Sequence, residues 1–441
     1  MNARIVTWSI VAALAGFLFG FDTVVISGAE QTIQSLWNLS PAMHGIVMGS
    51  ALYGTVLGAA LGAWPTDRWG RTPTLFWIGI LYFVSAVWSG LATDAWSFIV
   101  ARFIGGVGVG ISTVAAPLYI AEISPAGTRG RLAGMFQFNI VLGILVAFLS
   151  NWLLRDIGDN AWRWMMAAEG FPAFVYTLAC LAIPESPRWL LDHGREAAAK
   201  DVLRSAMPGA GGAEIDRLAE RIRSAETSPT GAATSLASPK LRRPVLLAFL
   251  IAFFNQLSGI NAVLYFAPRI FEMTGLGEQS ALLQSIGIGI TNLLFTFVGL
   301  WLIDRLGRRT LLVIGSLGYI ASLGLTSWAF FTGSVSIVPA CIFAFIAAHA
   351  IGQGAVIWVF ISEIFPDHSR AAGQALGSTT HWVFAALLTS FFPQMVASLA
   401  PGWVFAFFAG MMALQLLWVL LAVPETKGVP LEEMQRRLGI E

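Results

Sequence analysis

TDRWGRT at residues 66–72 returns as IDRLGRRT at residues 303–310. Each stretch lies between two long apolar runs. Two further pairs keep almost the same spacing. YIAEISPAGTR (119–129) returns as FISEIFPDHSR (360–370), and PESPR from Pro184 returns as PETKG from Pro424. The offsets are 237, 241 and 240 positions. Random charge placement would not hold that register, so the chain reads as an internal duplication.

What is duplicated is membrane-spanning helix. The 441 residues are 56% hydrophobic and only 12% charged, with a mean hydropathy of +0.72. A soluble domain carries about twice that charge. Twelve segments supply the roughly 20 apolar residues that a bilayer core demands: 6–29, 44–64, 75–93, 96–121, 131–153, 163–183, 244–269, 280–303, 311–332, 337–362, 372–395 and 403–423. They are apolar throughout rather than at alternate residues, which excludes a transmembrane β-barrel. The expected fold is an all-α membrane protein of twelve spans in two six-helix halves. The first span is read as retained rather than as a cleaved signal, because its apolar run continues to Ala29 without a clear small-residue cleavage site.

Lysine and arginine set the orientation. With the N-terminus in the cytoplasm, most basic residues face the cytoplasm, Arg155, Arg163 and Arg269 face outside, and Arg102 lies within a span. Both termini are then cytoplasmic. The expected organisation is a bundle over 1–183, a cytoplasmic helical linker over 184–243, a second bundle over 244–423 and a tail over 424–441. The linker includes SPTGAATSLASPK (228–240), rich in Ser, Thr and Ala. A net charge of +1 offers no general case for nucleic acid. Cys180 and Cys341 sit in apolar runs as core thiols, with no partner at zinc-ligand spacing.

The repeated loops suggest a gate. In each, a glycine (Gly70, Gly307) permits a tight turn, and arginines can reach a carboxylate at a neighbouring helix end. The candidates are Asp67, Arg68, Arg71, Glu122 and Arg129 in the first half, and Asp304, Arg305, Arg308, Glu363 and Arg370 in the second. Such bridges would hold the cytoplasmic side shut in one state and break in the other. The plainer alternative is that these charges only set topology.

Three ionisable residues lie well inside spans: Asp22, Arg102 and Glu169. Counting 1.5 Å per residue places each about 10–12 Å below the outer end of its helix. An isolated charge near mid-membrane costs on the order of 2.5–3.5 kcal/mol on insertion scales, which a pairing of Asp22 with Arg102 would offset. One reading is a permanent salt bridge; the other is proton coupling. A free Asp releases its proton at about pH 3.9, so holding one near neutral pH takes roughly 4 kcal/mol of carboxylate destabilisation. Burial supplies this and a close Arg102 opposes it, so coupling requires their separation to change during the cycle.

Gln137, Asn255, Gln256, Asn261 and Asn292 are neutral amides inside apolar spans. Burying one unpaired costs roughly 1–3 kcal/mol, so they pair with one another as interhelical glue or share a polar ligand. Gln256 and Asn261, five apart, stand about 140° apart on a continuous helix, bordering one broad cavity but not one narrow stripe. Amides without fixed charge suit a neutral, hydroxyl-rich solute. Gly54, Gly58 and Gly62, spaced by four, read as a close-packing face. RFIGGVGVGIS (102–112) fails as a nucleotide loop because Ile111 stands where the third glycine belongs. No motif points to an enzyme, a metal or a cofactor beyond the proton.

The chain resembles sugar porters of the major facilitator superfamily along nearly its whole length. GFLFGFD (16–22), RFIGGVGVG (102–110), PESPRWLL (184–191), NQLSGINAVLYFAP (255–268), SEIFP (362–366) and PETKG (424–428) carry the likeness, together with both D-R-x-G-R loops. The resemblance implies alternating access about a sugar held between the halves. It implies that Gln137, Gln256, Asn261 and Asn292 are sugar contacts, that Trp358 lies under the sugar, and that Phe19 and Trp382 are aromatic walls. Asn255 replaces the family's usual first glutamine, and His381 stands where Gln or Asn is usual. GQGAVIW (352–358) lacks the prolines often found there. Proton-coupled members carry Asp at position 22 with an Arg partner, and Glu169 matches a carboxylate of bacterial xylose–proton symporters. The expectation is a proton-coupled monosaccharide symporter in the cell membrane, working as a monomer on a hexose such as glucose. Alternatives are a xylose symporter, a facilitative uniporter, a drug–proton antiporter and a non-transporting sugar sensor.

Overall fold

The computed structural model describes residues 2–125, 128–227 and 236–440, so most of the Ser/Thr/Ala linker falls outside the described residues. Among the described residues every regular element is helical. Ten of the twelve expected spans appear as helical stretches long and apolar enough to cross a bilayer. The sixth is split into Ala161–Ala167 and Gly170–Cys180, and the eleventh is the 32-residue helix Asp367–Ser398. Large apolar side chains point outward from these helices: Leu91 is 70% exposed, Phe171 78% and Leu421 77%. Water would penalise that surface, whereas hydrocarbon accepts it, and helices satisfy every backbone polar group internally. The chain is a twelve-span, all-α membrane protein.

The chain forms two compact units. One comprises Met1–Asp22, Gly54–Ile144 and Met166–Ala232; the other comprises Thr23–Tyr53, Leu145–Met165 and Ala233–Glu441. In the first, Ile78, Tyr82, Tyr119, Tyr176 and Cys180 lie in one buried cluster. The glycine face packs as its spacing suggests. A Cβ at Gly54 would lie 2.9 Å from the Val107 amide, and one at Gly58 would lie 3.0 Å from the Gly110 Cα. Only hydrogen lets the second and fourth spans approach so closely. Asp94 caps the fourth span, accepting from the amides of Trp96 and Ser97 at 3.0 Å each. The linker helices Pro187–Asp192, Glu196–Ala206 and Gly212–Thr227 build a small core of their own from Trp189, Leu190, Leu203 and Ile215.

In the second unit two expected spans are interrupted. The seventh runs as Arg242–Leu257, Ile260–Tyr265 and Ala267–Glu272. Gly259 turns the chain there with φ of 86°, a left-handed geometry that glycine adopts at little cost. The tenth breaks at Gly352 into Val338–Ile351 and Gln353–Ile364. There a Cβ on Gly352 would meet the Gly315 Cα at 2.8 Å. GQGAVIW (352–358), where the break forms, contains no proline. Cys180 and Cys341 are buried free thiols, and no cluster of potential metal ligands occurs among the described residues.

Candidate functional site

Four clusters of polar side chains stand out against the apolar background. The first is charged and buried. Asp22 and Arg102 are each 1% exposed. Arg102 Nη1 pairs with the Asp22 carboxylate, and Nη2 donates to the Asp22 carbonyl at 2.8 Å. The equal depths inferred from the sequence thus become a direct contact across 80 residues of chain. Glu169, also 1% exposed, sits at the break of the sixth span. Its carboxylate lies against Asp22, and Asp22 and Arg102 are the charges acting on it. The fully buried Tyr82 joins this group, with Asp22, Glu169 and Arg102 as its charged neighbours. A Cβ at Gly105 would meet the Ser85 side chain and lie 3.6 Å from Asp22 Oδ1. Sequence reading missed Tyr82, although a hydroxyl in an apolar span was the available signal.

The second cluster is a chain of amides in the other unit. Asn261 Nδ2 donates to Gln256 Oε1 at 2.7 Å, and Gln256 Nε2 donates to Asn255 Oδ1 at 2.8 Å. The helix break at Gly259 makes the first bond possible; on a continuous helix the two amides would diverge. Gln256 Nε2 also lies 3.1 Å from a ring nitrogen of His381. That imidazole sits between Trp358 and Trp382, at ring distances of 5.3 and 4.7 Å. Beyond Asn255 the series continues through residues that sequence reading did not single out. Gln353 lies 3.5 Å from Asn255 and donates to Gln415 at 2.8 Å, which donates to Ser316 at 2.8 Å. Gln353 and Gln415 are neutral amides in apolar spans, the criterion that found the others. Asn292 is buried but joins none of these bonds among the described residues. Phe19 and Gln137 belong to the first unit, where both are half-buried.

The third cluster is the duplicated arginine clamp, and its two copies match atom for atom. Arg71 Nε and Nη2 each donate to Glu122 at 2.9 Å, while Nη1 reaches Asp67 at 3.1 Å. Arg308 Nε and Nη2 donate to Glu363 at 3.0 and 2.8 Å, while Nη1 reaches Asp304 at 3.0 Å. Such two-pronged pairing is the strongest geometry a guanidinium and a carboxylate adopt. Each clamp has a second carboxylate beneath it. Glu185 accepts from the amides of Arg71 (3.1 Å) and Thr72 (3.2 Å), and Glu425 from those of Arg308 (2.9 Å) and Arg309 (3.1 Å). These are orphan amides at helix starts, where a negative charge is favoured. The preceding Gly70 and Gly307 take φ of 106° and 93°. Burial pushes the Glu185 carboxyl above its usual range, against the pull of its amide bonds and Arg71. The PESPR and PETKG motifs are therefore part of the same device.

The remaining arginines of this set do different things. Arg305 lies over the Trp301 ring at 3.8 Å, Arg370 donates to the Ser362 carbonyl at 2.9 Å, and Arg68 is exposed. Arg129 begins the Arg129–Leu154 helix, with its side chain outside the described residues. Asp67, Arg71, Glu122, Arg188, Trp189 and His193 line a cavity of about 440 Å³ beside the first clamp.

The fourth cluster was not anticipated. Arg269 Nε and Nη2 donate to Glu30 at 2.8 Å each, and His44 Nε2 lies 3.1 Å from the same carboxylate.

Comparison with known proteins gives a consistent set of relatives. The family described as Sugar (and other) transporter matches residues 8–438. The arabinose-proton symporter of Bacillus subtilis (strain 168) is 34% identical over 440 residues, which cover 97% of this chain and 94% of that protein. The glucose transporter GlcP of Staphylococcus epidermidis is 34% identical over 433 residues, covering 97% and 96%. A partially occluded inward-open conformation of the xylose transporter XylE from E. coli superposes with a TM-score of 0.86 at 31% identity, covering 97% of this chain and all of that one.

Proposed function

The chain belongs to the sugar (and other) transporter family, and from that premise we propose that it is a proton-coupled importer of a monosaccharide, a hexose such as glucose. The observation that carries the coupling is the buried Asp22–Arg102 pair beside Glu169. A carboxylate deep in an apolar bundle is costly, and such groups mark ion and proton pathways. Burial and an opposite charge act on a carboxylate in opposite senses, so this reading requires the Asp22–Arg102 separation to change during the cycle. Glu169, buried beside Asp22 and Arg102, receives or relays the proton.

The sugar-binding residues in this reading are Phe19, Gln137, Asn255, Gln256, Asn261, Asn292, Trp358, His381 and Trp382. The amides present donors and acceptors to hydroxyls, and the indoles present flat faces to the C–H surface of the ring. The halves 1–183 and 244–423 rock about the site, joined by the linker 184–243, and the two arginine clamps hold the cytoplasmic side in one state of the cycle. The protein works as a monomer in the cell membrane with both termini in the cytoplasm. A pentose is the second reading, favoured by the arabinose symporter and the xylose transporter among the similar proteins.

Reconstitution tests both parts. Proteoliposomes with an inward proton gradient should accumulate labelled glucose, and the external medium should become more alkaline. Uptake that ignores the gradient and moves no protons would make the protein a uniporter. Competition by unlabelled xylose, arabinose, galactose, fructose and mannose ranks the sugars, and stronger competition by a pentose than by glucose moves the assignment.

A further inference from the structure

Glu30 and His44 are both fully buried, yet neither belongs to the coupling pair, the amide chain or the arginine clamps. Glu30 opens the short helix Glu30–Leu36 that follows the first span. His44 lies near the start of the second span, and Arg269 lies on the Ala267–Glu272 helix that ends the seventh. Arg269 grips both Glu30 oxygens at 2.8 Å and also donates to Gln34 at 2.5 Å. His44 Nε2 closes on the same carboxylate at 3.1 Å. Beside them Gln31 donates to Glu272 at 3.0 Å, and both residues line a cavity of about 310 Å³ with Ser27, Thr32 and Pro268.

These contacts differ in kind from the arginine clamps. Arg71–Glu122 and Arg308–Glu363 each stay inside one half of the duplicated chain. Glu30–Arg269 joins the first half to the second, and it does so within one compact unit. The neighbouring seam is close as well. A Cβ on Gly45 would meet the Ser390 Cα at 3.2 Å, and the hydroxyls of Tyr53 and Ser390 lie 2.7 Å apart. If these helix ends part, the Glu30 carboxylate loses both arginine bonds together, while the same bonds must be remade to close. A desolvated two-pronged ion pair therefore favours one position of the seam over a continuum of loosened ones.

We propose that Glu30, Arg269 and His44 form an outer latch, which holds the sugar path closed to the outside and must rupture for the outward-open conformation to form. The latch rests on the orientation and alternating access stated above. It adds a set of residues that governs the balance of conformations without touching sugar or the coupling proton.

The test reads opening directly, without sugar. Ser27 is 2% exposed, lies three residues before Glu30 and lines the cavity beside the latch with Gln31 and Glu272. A single cysteine placed there (S27C) in a C180A/C341A background is exposed to a membrane-impermeant maleimide added outside intact cells. With the latch intact, labelling should be slow. E30Q and R269M should each raise the rate by about fivefold or more, about 1 kcal/mol of released opening equilibrium. The double variant should be no faster than the faster single one, because both break one contact. R269K keeps the charge but loses the two-pronged grip, so its rate should fall between. Rates equal to that of the parent in these variants, each confirmed as monodisperse in detergent, would overturn the latch. Glucose uptake by the unlabelled parent is scored separately, so failure of the sugar assignment is seen apart from failure of the latch.

Discussion

Asn261 Nδ2 donates to Gln256 Oε1 at 2.7 Å across a helix break pivoted on Gly259. Five residues of unbroken helix would hold those amides about 140° apart. One backbone torsion thus converts two scattered amides into a bonded pair.

That dependence is testable at Gly259. An added Cβ would lie 2.7 Å from the Phe408 ring, on a backbone with φ of 86°. Strain of this kind costs about 1–3 kcal/mol. G259A should lower the melting temperature in detergent and weaken sugar binding about tenfold, about 1.4 kcal/mol. A folded G259A protein with unaltered sugar affinity would separate the break from the binding site.

The clamps should show a graded response. In the first, the Arg71 and Glu122 side chains are 7% and 4% exposed, while Asp67 is 68% exposed. E122Q removes the buried charge that Arg71 grips and leaves only the exposed Asp67 as its ionic partner, a loss of about 3–5 kcal/mol. D67N removes a solvated partner and should cost below about 1 kcal/mol. E363Q should fall between, since Glu363 is 29% exposed. Thermal unfolding of the three proteins in one detergent checks the order. Equal losses for E122Q and D67N would contradict it.

Asp22 is expected to separate accumulation from exchange. D22N should abolish uptake against a gradient while sugar still exchanges across the bilayer, because Asn accepts a hydrogen bond from Arg102 but cannot carry the proton. Uphill uptake by D22N at the parental rate would remove Asp22 from the coupling role.

The linker helices carry a pH signature. Hydrogen bonds from Lys200 and Arg223 draw the exposed Glu196 carboxyl down to about 2. A depressed carboxyl contributes stability above its unfolded value, near 4.5, and that contribution is lost as pH falls through the folded one. Hydrogen-exchange protection of Glu196–Ala206 and Gly212–Thr227, normalised to free peptides, should hold above pH 4.5 and decline towards pH 2. E196Q should flatten the decline, and added salt should weaken it at any pH because the pair is solvated. A decline that survives E196Q unaltered would point to another group.

Periodic and repeated features were legible in the sequence. The clamps were readable because duplication placed Asp67, Arg71 and Glu122 in register with Asp304, Arg308 and Glu363. The meeting of Asp22 and Arg102 was readable because span length and direction set depth, and two opposite charges at one depth in hydrocarbon have strong reason to pair. The role of Glu185 and Glu425 as caps was hidden. Their motifs were visible, but which helix starts they serve depends on where the chain returns.

By itself, the amino-acid sequence determined the apolar spans, the internal duplication and the charges that must find partners, since hydrophobicity and repetition are carried by residue order alone. Only the tertiary structure decided how the seventh and tenth spans break, that Gln353 and Gln415 extend the amide series, and that Glu30 meets Arg269. Those outcomes turn on single torsions at Gly259 and Gly352 and on contacts between residues as far apart as 30 and 269. Neither composition nor periodicity encodes them, because each depends on how closely the surrounding helices pack.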